Sequence, residues 1–184
     1  MSIGRDVTPG YRESVAPFSR RRLPTADRTR LDLRAGDAIL VSTELADGRW
    51  AVASRRALHL LGADGPAERH PWSDVDHGSL DPATRTMTLR WVWGQTERLT
   101  FAEVPGSFAF SQTFRERVQQ SVVHAVSVTL PGGQRARVVL RRDEGGTLFT
   151  QVLGDASIDL SDPAVAAAVD AAEDEVRDAV GLPR

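Results

Sequence analysis

The chain has 184 residues, a net charge of -2 and no cysteine. That length suffices for one domain, or one with an annex, around a core that needs no staples. The missing cysteine excludes disulfides, thiolate metal sites and a cysteine nucleophile.

No apolar run is long enough to cross a bilayer, and the arginine-bearing N-terminus lacks the apolar stretch of a secretory signal. A cytoplasmic protein is the expectation. The net charge conceals a gradient. Residues 1–35 hold 8 arginines against 4 acids, and residues 155–184 hold 2 against 8. A basic head and an acidic tail are candidate partners for each other or for another chain, or else a tail and a solvated helix face.

Residues 1–35 form a basic arm with Pro9, Gly10, Pro17, Pro24 and three consecutive arginines, Arg20, Arg21 and Arg22. Little periodicity appears before residue 25, so a flexible or peripherally docked segment is expected there. "AILVSTEL" (38–45) is the first strand, rich in β-branched residues. The Asp47-Gly48 pair favours a tight turn, and "RWAVAS" and "ALHLL" follow as strands two and three, with Arg55-Arg56 as the turn between them. "RHPWSDVDHGSLD" reads as two short extended pieces, because Pro71 keeps a long central strand from passing through.

"TMTLRWVW" places Met87, Leu89, Trp91 and Trp93 on one side by the period of two, and "ERLTFAEV" returns the chain. In "SQTFRERVQQSVV" Phe114, Val118 and Val122 share a helix face, which predicts a helix over 111–124 capped by Thr113 or Ser111. A three-strand meander then runs through "AVSVTL", "QRARVVLRR" and "TLFTQVL", separated by glycine turns. The last helix has Asp162 as cap, Pro163 at its first position and Gly181 as its stop. Val165, Val169, Ala172, Val176 and Val180 form its apolar stripe, expected to dock on Val138 and Leu140.

The fold class is therefore α+β, mainly β. Three parts are expected: the arm 1–35, short antiparallel strands followed by a helix over 36–124, and a β-β-β-α module over 125–184. "ILVST", "WAVASRRALHLL", "HPWSDV", "ERLTFAEV" and the helix bearing Phe114 together resemble a bacterial pleckstrin-homology (PH) or GRAM-like domain across 36–124. All 23 basic residues are arginine, and with the abundant alanine this resembles an actinobacterial sequence.

The resemblance implies a partly open antiparallel barrel plugged at one end by a helix. It also implies a non-enzymatic module that binds phosphoinositides, peptides or other domains, or serves as a scaffold. The phosphoinositide version uses a basic loop between strands one and two. Here that loop is "ELADGR", where Glu44 and Asp47 outnumber Arg49 and repel phosphate, which favours a protein partner.

Candidate partner-binding residues are Trp91 and Trp93, either core or a stacking platform, and the stripe Arg135, Arg137 and Arg141. That stripe is either a solvated sheet face or a surface for an acidic partner. With Arg20, Arg21, Arg22, Arg28 and Arg30 it makes an alternative binder of nucleic acid or an anionic surface. His70, Asp74, Asp76 and His77 fall within eight residues and supply metal-ligand chemistry without an established zinc spacing. A hydrolase or metal enzyme centred there is the second alternative. His59 lies among leucines and reads as core. No nucleophile elbow or phosphate loop occurs, and no cofactor is expected.

Overall fold

The structure, a computed structural model, describes residues 22–154 and 158–182. The first sheet comprises β1 (Ile39–Glu44), β2 (Trp50–Ser54), β3 (Ala57–Leu61) and β4 (Glu68–Pro71), antiparallel in the order β1-β2-β3-β4. Every residue of β2 and β3 is buried, since both faces of this sheet are covered. Ala51, Ala53, Leu58 and Leu60 face the main core. Trp50, Val52 and Leu61 face outward and pack with Leu23 and Leu31. The segment that covers them includes a one-turn helix, α1 (Thr25–Arg28).

The expected basic arm thus divides. Residues 1–21, with Arg20 and Arg21, lie outside the described residues. Leu23 and Leu31 seal the back of the sheet, and Arg30 donates to the Gly62 and Gly65 carbonyls at 2.8 Å each. The docking follows from the two leucines, since an outer sheet face of Trp50, Val52 and Leu61 gains from leaving water.

The Arg55-Arg56 turn is held from below. The buried Ser54 hydroxyl accepts from the Ala57 amide at 3.0 Å and donates to Asp37 at 2.8 Å, while the Arg56 amide donates to Asp37 at 3.2 Å. Charged residues occupy the tip because it is the one part of "WAVASRRALHLL" that reaches solvent.

The second sheet holds β5 (Val75–Asp81), β6 (Thr86–Trp91) and β7 (Thr96–Thr100) in the order β5-β6-β7. A single bridge, Leu45 to Phe101, joins it to the first sheet at one corner, where the Ala46 amide donates to the Thr100 carbonyl at 2.7 Å. The sheets do not close into a barrel.

Helix α2 (Val104–Ser121) packs on both β1 and β5. It buries Phe110 and Phe114, and Trp72 meets Phe114 edge-on at 5.6 Å. The helix starts two turns before the predicted 111 and ends before 124. Pro105 suits a first turn, and Gly106 packs so closely on Thr43 that any side chain would strike its hydroxyl. The Pro105-Gly106 pair therefore lies in the first turn of the helix. Val122, assigned by sequence to the helix face, instead opens a strand.

That strand, β8 (Val122–Thr129), forms the third sheet with β9 (Arg135–Arg142) and β10 (Leu148–Gly154), in the order β10-β9-β8. Helix α3 (Pro163–Asp178) covers one face. Val165, Val169, Ala172 and Val176 pack with Ala136, Val138 and Leu140, as the stripe requires, while Val180 stays exposed. Asp162 accepts from the Ala164 amide at 2.8 Å, and Gly181 takes a φ of 73°.

Phe114→Ala should cost about 3–5 kcal/mol through lost burial and the cavity left behind. Denaturant unfolding checks this, and a variant as stable as wild type would show that α2 does not hold the two sheets together.

Candidate functional site

Strand β5 is an edge. It pairs with β6 on one side only. Beside it runs a groove of about 780 Å³ walled by β5 and α2, with Leu80, Met87, Phe108, Phe114 and Val118 as its apolar lining. Gly78 sets how close the walls come, since a Cβ there would lie 2.5 Å from Phe114 Cε1 and 2.8 Å from Met87 Cε. Phe108 is 68 % exposed, the most exposed of the large apolar side chains among the described residues. Sequence reading missed it because the predicted helix begins at 111 and leaves Phe108 outside. Continued back to Val104, the helical period sets Phe108 off the buried face of Phe110 and Phe114, which is the signal that could have found it.

A second groove, of about 420 Å³, opens between the second and third sheets and shares Asp76 and His77 with the first. Its walls include Arg90, Trp91, Arg135 and Arg137. Asp76 is the hub. Arg137 donates to its Oδ1, His77 Nδ1 lies 3.0 Å from Oδ2, and Arg90 Nε lies 3.9 Å away. Three cationic or polarisable groups thus share one carboxylate, and Arg135 has no partner among the described residues.

Trp91 and Trp93 divide the two readings between them. Trp91 is buried, while Trp93 sits in the turn beyond β6, 51 % exposed, stacked on Trp91 at 5.3 Å with their planes 9° apart. The strand ends at Trp91, so the alternation that placed both in one face does not reach Trp93. Trp93 is a flat exposed ring backed by a fixed one, which suits stacking.

The arginine stripe is broken. Arg135 and Arg137 are exposed, but Val139 and Arg141 are fully buried, because α2 and the second sheet cover that half of the face. Arg141 donates to the Ser121 hydroxyl at 2.9 Å, and its Nε and Nη2 have no partner. It joins the two halves of the chain and is not part of an exposed surface.

The four residues with metal-ligand chemistry are spread along the chain's path. His70 packs its ring on Trp91 at 4.4 Å, and His77 is exposed beside Asp76. Asp74 is half-buried, and burial raises its pKa against the opposing pull of His70 and Arg141. Among the described residues no group of three or more such side chains is placed to hold a metal ion.

His59 is fully buried, with Nε2 3.3 Å from Ser54 Oγ. Ser54 in turn donates to Asp37. The order His-Ser-Asp puts the hydroxyl between the other two. It is a buried turn clamp, since the carboxylate holds the serine and not the imidazole.

No family model, curated protein or solved structure matches the chain.

Burial pushes the His59 pKa down to about 4, with Arg69 adding to the effect and Asp37 and Asp32 opposing it. The folded state holds the neutral ring, so its contribution is complete above the unfolded value near 6.5 and is lost as pH falls toward 4. Unfolding free energy should drop by about 3 kcal/mol across that window from this residue. His59→Leu should flatten the slope in denaturant melts at pH 7, 6, 5 and 4; an unchanged slope would assign the loss to other groups.

Arg135 and Arg137 should also separate. Arg135→Glu should stay within about half a kcal/mol of wild type, as exposed charge changes do. Arg137→Glu sets a carboxylate against Asp76 and should cost about 1–2 kcal/mol. Equal melting of the two variants would show that the Asp76 contact contributes nothing in solution.

Proposed function

We propose that this chain is a non-enzymatic interaction module whose first half is PH-like, and that it binds an extended segment of a protein partner along β5. The observation that carries the reading is the meeting of two grooves at Asp76 and His77 on a free strand edge. An edge strand offers unpaired main-chain donors and acceptors to an added strand. One groove is apolar, rimmed by Phe108. The other presents Arg90, Arg135 and Arg137 against a single carboxylate, with Trp93 and Trp91 stacked close by. The complementary segment is extended, apolar at one end and acidic at the other.

Two findings support a protein over an anionic lipid or nucleic acid. Arg49, the one basic residue of the loop between β1 and β2, is held by Asp47 at 2.8 Å and Glu97 at 3.4 Å. Of the arm and stripe proposed for a phosphate backbone, Arg30 is bound to carbonyls of the 62–65 loop and Arg141 is buried. Arg22 and Arg28 remain exposed, away from the grooves on β5.

Peptide display against the whole chain tests the reading. Selected sequences should carry apolar residues followed by acidic ones. Their binding should fall at least about tenfold in Phe108→Glu and in Arg135→Glu, and should weaken as salt rises. A selection without such a consensus, or one indifferent to both substitutions, would overturn it.

A further inference from the structure

We propose that the crevice where the Arg55-Arg56 turn, the last turns of α2 and the end of β9 meet binds a tetrahedral oxyanion, either phosphate or the phosphoryl group of a phosphomonoester. The crevice has a volume of about 80 Å³ and is separate from the two grooves on β5. Arg56, Arg117 and Arg142 reach it from three different elements, and Ser73 adds a hydroxyl.

Two carboxylates also line it, but both are engaged. Glu144 pairs with Arg34 and Arg69. Asp143 accepts from the Gly145 and Thr147 amides at 2.8 Å each. Among the described residues the guanidiniums of Arg56, Arg117 and Arg142 have no ion-pair or hydrogen-bond partner. Arg117 Nε is sealed from solvent as well, so it has given up water without gaining an acceptor. A buried donor left in that condition is costly. Closed to water, it is closed to a phosphate oxygen as well, so an occupant of the crevice would meet the Arg117 Nη groups.

The ligand's shape follows from the donors. A planar carboxylate is matched by one guanidinium fork, whereas guanidiniums converging from three elements suit an acceptor with oxygens in several directions. The end of α2 carries a partial negative charge that opposes any anion. Arg141, bonded to Ser121 at 2.9 Å, places a buried positive charge at that helix end and offsets it. Arg56 belongs to the first sheet, Arg117 to α2 and Arg142 to the third sheet, so an occupant would tie the two halves of the chain together.

The test is calorimetric titration and thermal melting of the whole chain with sodium phosphate, against sodium chloride at equal ionic strength. Glycerol phosphate is a second ligand. Phosphate should bind saturably and raise the melting temperature, and chloride should not. Arg117→Gln and Arg142→Gln should each weaken binding about tenfold, the effect of one charge-assisted hydrogen bond. Arg98→Gln, exposed on β7, should change nothing. Tighter binding of glycerol phosphate than of phosphate would identify the ligand as a phosphoryl group on a larger molecule, and equal binding would identify the free ion. A non-saturable response, an equal effect of chloride, or unchanged binding in both variants would overturn the site.

Discussion

The close approach of α2 to both sheets governs the rest of the structure. Among the described residues the first two sheets share one isolated backbone bridge, Leu45–Phe101, and otherwise meet through side chains such as His70 on Trp91. A helix also joins them, seated at two places where no side chain fits, Gly106 on Thr43 and Gly78 under Phe114. Glycine at these positions permits contact between backbone and side chain. That contact brings Phe110 and Phe114 into a core with Leu58, Leu89 and Trp72. Because α2 covers the inner face of β5 and leaves its edge free, the same packing that stabilises the core creates the groove.

The helix also sets the position of the third sheet. It ends at Ser121 and β8 begins at Val122, with no intervening loop. The two halves keep separate apolar cores, and polar groups recur at their junction: Arg141 on Ser121, Arg137 on Asp76, and Arg34 and Arg69 on Glu144. A fully buried guanidinium with two unpartnered nitrogens is not an economical source of stability. Such groups fix geometry more than they add energy, since each has few orientations in which its bonds are made.

The elements were largely legible in the sequence, and what failed shares a cause. Strand alternation placed Met87, Leu89 and Trp91 inward correctly but was carried one step too far to Trp93, where the strand has already turned. The same period separated Arg135, Arg137, Val139 and Arg141 from the face that packs on α3, and that separation holds. It does not decide whether the opposite face meets water. Half of it meets α2 and the second sheet, and periodicity along one strand carries no information about a neighbour distant in sequence. Leu23 and Leu31 show the same limit, because two isolated leucines in a proline-rich, arginine-rich segment become core only beneath Trp50 and Val52.

Charge placement carries the last step. The arginines outnumber free carboxylates at the seams between sheets, although the whole chain is slightly acidic. Acidic residues are concentrated on α3, whose docking stripe takes up its other face. At the β5 grooves, Asp76 is shared by Arg137, His77 and Arg90, so an incoming carboxylate meets cations held by a single competitor. An acidic segment can replace part of that shared interaction without breaking a one-to-one pair, which lowers the desolvation cost that usually offsets an interfacial charge contact. On the proposed reading, the free strand edge supplies affinity for any extended chain, and this shared carboxylate selects for an acidic one.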